Sequence, residues 1–194
     1  MTEKRRQFVL LDRDGTLNIE RHYLSDPDEV TLLPNTVVGL RQLQALGLGL
    51  VVITNQSGVG RGMFDIQRLN AIHERLTMLL EGQGVTLDGI YFCPHTPEDN
   101  CQCRKPKPGM AFWAADDLGF SLPHTFVIGD KACDIGIGHN VGATTLLVRT
   151  GYGEDEAQYG QSNPHFIVAD LLEAAQTIES LLSADFAGKG MIHE

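Results

Sequence analysis

The sequence predicts an α/β protein built on a doubly wound, mostly parallel sheet. Two observations predict it. Short apolar runs alternate with longer segments of helical period, the pattern of strands joined by crossover helices. Polar residues also follow several of those runs directly, where open α/β sheets hold their ligands. The chain of 194 residues is long enough to bury a core and short enough for one domain. We expect that domain over residues 1–186 and a flexible tail over 187–194, which carries two glycines.

In chain order, Gln7–Leu11 is the first strand, an apolar run stopped by Asp12. Val37, Leu40, Leu43 and Leu46 recur at helical spacing, and Leu48–Ile53 is a second, buried-type strand. Asp65 reads as the cap of a helix carrying Ile66, Leu69, Ile72, Leu76 and Leu79. Gly89–Phe92 is the third strand, Gly109–Leu118 a helix and Thr125–Ile128 the fourth strand. Asp134–Val141 is a helix that Gly142 closes, because glycine accepts the left-handed conformation of a C-terminal cap. Thr145–Val148 and Phe166–Val168 are the last strands, and Leu171, Ala175, Ile178 and Leu182 mark a final helix. Two connections, Arg13–Asn35 and Cys93–Pro108, are longer than this architecture requires.

Composition excludes several classes. Hydrophobic residues make up 42% and charged residues 21%, too apolar for a disordered chain. With 15 basic and 25 acidic residues the formal charge is −10, which argues against a nucleic-acid-binding face. No apolar run is long enough for a bilayer. The basic start is followed only by the short run Phe8–Leu11, unlike a secretory leader, so a cytoplasmic location is expected; a monomer is expected as well. Three of the four cysteines, Cys93, Cys101 and Cys103, crowd around His95. Three thiolates and one imidazole within eleven residues match a structural Cys₃His zinc site, closed to water.

Four polar clusters carry the chemistry. Asp12-Arg13-Asp14-Gly15-Thr16 puts two carboxylates at a strand end; alone, it also reads as a turn. Thr54-Asn55-Gln56-Ser57-Gly58 offers donors that can wrap an oxyanion, or simply a polar loop. Arg104-Lys105-Pro106-Lys107 is a basic cluster before a helix, or a solvated loop. Gly129-Asp130-Lys131 with Asp134 joins acid and base, or forms a surface ion pair. Their conjunction at one end of successive strands is what points to phosphoryl chemistry. Mg²⁺ is the natural partner of such a site, with Asp12, the Asp14 backbone carbonyl and Asp130 as a reasonable set of oxygen ligands.

Taken in order, these clusters resemble the motifs of the haloacid dehalogenase-like phosphohydrolases. More narrowly, LDRDGTLN, TNQSGVGRGMF, CPH, CQCRKPKPGM, GDK and VRTGYG are similar to the D-glycero-D-manno-heptose-1,7-bisphosphate 7-phosphatase family. The resemblance implies a Rossmann-type fold and the same three magnesium ligands; no cap domain is expected, since neither long loop could form one, and the loop is expected to be zinc-stabilised. It implies that Asp12 attacks phosphorus, that Asp14 carries the proton, and that Thr54 and Lys105 hold the transferring group. It places substrate contacts on Glu20, Arg21, His22 and Tyr23, on Asn55, Gln56 and Ser57, and on Arg104. Lys131 is a further substrate contact, or with Asp134 a group that orients the metal waters. The implied substrate is a small phosphorylated sugar on the route to nucleotide-activated heptose and surface polysaccharide.

Histidinol-phosphate phosphatases share the zinc loop and the CRKP word but typically read Asn-Gln-Asp-Gly where this chain has Asn55-Gln56-Ser57-Gly58. They also lack the Arg61-Gly62 pair. Response-regulator receivers place their phosphorylated acid on a later strand. A non-catalytic phospho-binding or zinc-stabilised module is the alternative of another class. Other residues are expected to be structural: His73 in packing or at the surface, Phe112 and Trp113 in the core, Met63 and Phe64 beside the Arg61 loop, and Cys133 as a small buried hydrophobe.

Overall fold

Residues 6–189 are described by a computed structural model. The apolar runs form six strands: β1 (Phe8–Leu11), β2 (Gly49–Asn55), β3 (Gly89–Cys93), β4 (Phe126–Gly129), β5 (Thr144–Val148) and β6 (Phe166–Val168). All neighbours pair in parallel, in the order β3-β2-β1-β4-β5-β6. The order reverses around β1, so β2 and β4 flank it. Leu11 lies opposite both Val52 and Ile128, and therefore the three chains leave the sheet side by side. That register brings Asp12, Thr54 and Asp130 to one edge. β2 runs two residues beyond the expected Ile53, because Thr54 and Asn55 still pair with Phe92 and Cys93.

Successive side chains of a strand point to opposite faces, and β1 shows why the sheet is covered on both. Val9 and Leu11 pack into one core with residues from α1 (Thr36–Ala45), α3 (Ile66–Glu81) and α7 (Leu171–Lys189). Phe8 and Leu10 pack into the other, with residues from α4 (Gly109–Leu118) and α5 (Ala132–Val141). Parallel strands buried on both faces are near-continuously apolar, as β1 and β2 are. The expected caps are present. Asp65 accepts the Arg68 N–H at 2.8 Å, and Gly142 closes α5 at φ 72°.

Several expectations need correction. Phe112 and Trp113 do not fill the core; both are about half exposed, at 53% and 52%. On α4 it is Met110, Ala111 and Ala114 that face the sheet, which turns positions 112 and 113 outward. Met63 is exposed, while Phe64 lies where a side chain on Gly58 would collide with it. Cys133 is only partly buried. Two short helices, α2 (Ser57–Gly60) and α6 (Gly153–Tyr159), were not anticipated. The last helix extends through Lys189, three residues into the expected tail, and 190–194 lie outside the described residues. Among the described residues no helix is long and apolar enough to cross a membrane.

Candidate active site

Four sequence clusters meet at the carboxyl edge of the sheet. Lys105 is their centre, with a side chain 1% exposed. Its Nζ lies 2.7 Å from Asp12 Oδ1 and 2.7 Å from Asp134 Oδ1, and donates to the Ile53 carbonyl at 2.6 Å. Burial alone would favour the neutral amine, but Asp12 and Asp134 hold its basicity well above the usual lysine range. A reciprocal clamp fixes the Lys105 backbone. Its N–H donates to Asn55 Oδ1 at 3.0 Å, and its carbonyl accepts from Asn55 Nδ2 at 3.2 Å.

Asp12, Asp130 and Asp134 each place a carboxylate oxygen within 4.8 Å of the others. Burial raises the Asp12 carboxyl above its ordinary range, against the pull of Lys105. Burial also pushes Asp130 up to about 8, with Asp12 adding to the rise. Asp130 Oδ2 accepts the Tyr152 N–H at 2.9 Å, while its buried Oδ1 has no hydrogen-bond partner. An orphaned carboxylate oxygen beside a second buried acid suits a hard divalent cation. Asp134 is less available: Oδ1 faces Lys105, and Oδ2 accepts the Lys131 N–H at 3.0 Å. Asp130 also explains two glycines. A Cβ on Gly15 or on Gly151 would sit 2.2 Å from its Oδ2, and both have positive φ, 87° and 58°.

Asp14 is held by three side chains. Arg13 Nε lies 3.1 Å from each oxygen and Nη2 2.6 Å from Oδ2, Asn18 Nδ2 donates to Oδ1 at 2.9 Å, and Gln56 Nε2 donates to Oδ2 at 2.8 Å. Burial works to raise the Asp14 carboxyl, but the Arg13 charge and these hydrogen bonds outweigh it and hold it below the usual range. Thr54 is buried, and its Oγ1 lies 2.9 Å from Gln56 Nε2. Above them, Lys131 Nζ pairs with Glu20 at 2.6 Å and lies 4.8 Å from the Tyr152 ring centroid. Tyr152 Oη lies 2.7 Å from His22 Nδ1. Asp12, Asp14, Thr54, Lys105 and Lys131 line a cavity of about 180 Å³, whose wall Glu20, His22, Tyr23, Ser57, Arg104 and Cys133 complete.

The second cluster is Cys93, His95, Cys101 and Cys103, whose ligand atoms lie within 4.8 Å of one another. The three sulfur separations are 3.2, 3.4 and 3.5 Å, and His95 Nδ1 lies 3.2 Å from Cys103 and 3.6 Å from Cys93. A tetrahedron with Zn–S bonds of about 2.3 Å has edges of about 3.7 Å, so the donor set and its spacing fit zinc. Arg104 Nη1 donates to the His95 carbonyl at 3.2 Å, and the Gly60 N–H to the Pro94 carbonyl at 2.9 Å. The cluster is thereby tied to the cavity rim.

Comparison with known proteins bears on this arrangement. A family model described as HAD-hydrolase-like matches residues 102–174. A Pasteurella multocida protein named D-glycero-beta-D-manno-heptose-1,7-bisphosphate 7-phosphatase is 35% identical over 185 residues, covering 92% of this chain and 100% of the relative. The chain belongs to that phosphatase family. A family member from Yersinia pestis is 39% identical over 152 residues, with 74% of this chain and 80% of that protein covered. A crystal structure of D,D-heptose 1,7-bisphosphate phosphatase from B. bronchiseptica, complexed with magnesium and phosphate, superposes with a TM-score of 0.83 at 35% identity. It covers 90% of this chain and 98% of that one.

Of the expected substrate contacts, Arg21 alone stands apart: it does not line the cavity, whereas its neighbours Glu20 and His22 do. Asp130 is fully buried and does not itself line the cavity. Two participants were missed. Tyr152 comes from the loop after β5, within the word VRTGYG, to which no role was assigned. Arg13 sat between two conspicuous aspartates, and its burial could not be read from the turn it occupies.

Proposed function

We propose that this member of the phosphatase family removes the 7-phosphate of D-glycero-D-manno-heptose 1,7-bisphosphate through an aspartyl-phosphate intermediate. The observation that carries the reading is the buried Asp12–Lys105–Asp134 arrangement, with Asp130 Oδ1 left without a partner among the described residues on one side and Asp14 held on the other. An Asp12 oxygen attacks phosphorus in line, and the bond from phosphorus to the sugar oxygen breaks with its electron pair going to that oxygen. Asp14 gives the leaving oxygen a proton. Water then attacks the phosphorus bound to Asp12 and returns a proton to Asp14, releasing inorganic phosphate and the free Asp12 carboxylate. Thr54 and Lys105 hold the phosphoryl oxygens, and Asp134 keeps Lys105 charged and aimed.

Asp12, the Asp14 carbonyl and Asp130 would hold Mg²⁺, which when bound supplies positive charge to the phosphoryl oxygens. Glu20, His22 and Tyr23, with Asn55, Gln56, Ser57, Arg104 and Lys131, form the substrate rim. The thiolate cluster would bind zinc as an ordering element, since four protein ligands leave no position for water. Its thiolates suit a reducing, cytoplasmic setting. The reading needs only one copy of the chain.

Phosphate release from heptose 1,7-bisphosphate and from histidinol phosphate, measured under identical Mg²⁺ concentrations, tests the proposal. We expect the heptose substrate to be preferred and the variant Asp12→Asn to be inactive on it. Preference for histidinol phosphate would overturn the substrate, and an active Asp12→Asn the mechanism.

A further inference from the structure

Arg13 is the charged side chain that the mechanism leaves unused, and it is held where an ion is unfavourable. Its side chain is 1% exposed, and burying an ion is strongly opposed unless the ion is well paired. Among the described residues Asp14 is its only carboxylate partner. Nη1 is buried with no hydrogen-bond partner. Buried His73, depressed to about 3 by burial and by Arg13 itself, is neutral and offers no competing charge. The Arg13 backbone is fixed too, its carbonyl accepting the Leu17 and Asn18 N–H groups at 2.8 and 3.1 Å.

The geometry at Asp14 divides the work. Asn18 and Gln56 each supply one amide donor, a contact about which a carboxylate can still turn. The guanidinium instead meets both carboxylate oxygens with a planar fork, which fixes a plane. Gln56 donates both to Asp14 Oδ2 and to Thr54 Oγ1, so Oδ2 is the oxygen on the side of the cavity hydroxyl.

We propose that Arg13 is a positioning residue for Asp14, fixing the carboxylate plane so that the acid faces the departing sugar oxygen. The inference rests on the assignment of Asp14 as proton carrier above. It has a selective consequence. When the bond from phosphorus to a sugar oxygen breaks, the electron pair lands on a strongly basic alkoxide, which needs the Asp14 proton in the transition state. A nitrophenolate leaves with the same electron pair unprotonated. Arg13 therefore governs the departure of alkoxides and not of phenolates.

The test compares kcat/KM of the wild type, Arg13→Met and Arg13→Lys on heptose 1,7-bisphosphate and on p-nitrophenyl phosphate at saturating Mg²⁺. This parameter covers the steps through phosphoryl transfer to Asp12 and omits the later water attack. Both substrates are assayed on one preparation, so the ratio does not depend on how much of a variant is folded. We expect the sugar-phosphate value to fall about 30-fold or more in both variants, and the aryl-phosphate value by less than about 3-fold. Equal losses on the two substrates, or no loss on either, would overturn the proposal. A wild-type ratio restored by lysine would also overturn it, since lysine keeps the charge and lacks the fork. Asp12→Asn is run alongside: turnover there would sink the phosphatase reading itself, an outcome distinct from an unchanged ratio in the Arg13 variants.

Discussion

His73 offers a direct test of what burial beside Arg13 costs a titrating group. The ring lies on α3, 8% exposed, with its centroid 5.5 Å from that of Phe92 and its Nε2 without a partner. Protonation would bury an imidazolium near Arg13, and burial together with that charge lowers its pKa from 6.5 to about 3. Between those values the unfolded chain carries the proton and the folded chain does not. Stability from this residue is therefore complete above about pH 6.5 and is lost as pH falls toward about 3. Each pH unit in that window costs about 1.4 kcal/mol, hence about 2 kcal/mol at about pH 5. The perturbation is His73→Gln, of similar size and without a titrating group. Urea unfolding of both proteins at about pH 7.5 and about pH 5 isolates the effect, because the carboxylates are common to both. The wild type should lose about 2 kcal/mol more than the variant between the two conditions. Equal losses would refute the reasoning.

Two further predictions concern the metals. Gly151→Ala places a Cβ 2.2 Å from Asp130 Oδ2 and 2.6 Å from the Gly15 Cα, at a φ of 58°. It should destabilise the fold by about 1–3 kcal/mol and raise the Mg²⁺ concentration needed for half-maximal turnover; an unchanged Mg²⁺ dependence would contradict the placement of Asp130. Elemental analysis of reduced protein should find one zinc per chain, and Cys101→Ser should lower zinc content and turnover together. Full activity in a zinc-free preparation would remove the ordering role from the cluster.

The strands and the acids at their ends were legible because each signal is local: an apolar run stopped by Asp12, a hydroxyl after Ile53, an acid after Gly129. The zinc cluster was legible because its four ligands fall within one short segment. What was not legible depends on chain segments meeting. Tyr152 reaches the site only because β5 lies beside β4, which puts the turn after Val148 against Asp130. Phe112 and Trp113 looked like core because they are large and apolar, yet helix phase decides burial, and the smaller Met110, Ala111 and Ala114 hold the inward positions. Arg13 drew no reading of its own for a similar reason: composition reports a side chain's polarity and not the partner waiting for it.

The clamp between Asn55 and Lys105 reaches beyond catalysis. Two amide hydrogen bonds splice the end of β2 to a point fifty positions downstream, as a rung between neighbouring strands would. The rung docks Lys105 from one side, while the exposed stretch Glu98–Asn100 is tied to the same segment by Lys107 Nζ, which donates to the Asn100 carbonyl at 3.0 Å. The segment between splice and sheet thus behaves as a cassette. Its outer arc is short and pinned at both ends, by His95 and Cys101 of the thiolate cluster, so a change of length there must be absorbed between those two ligands.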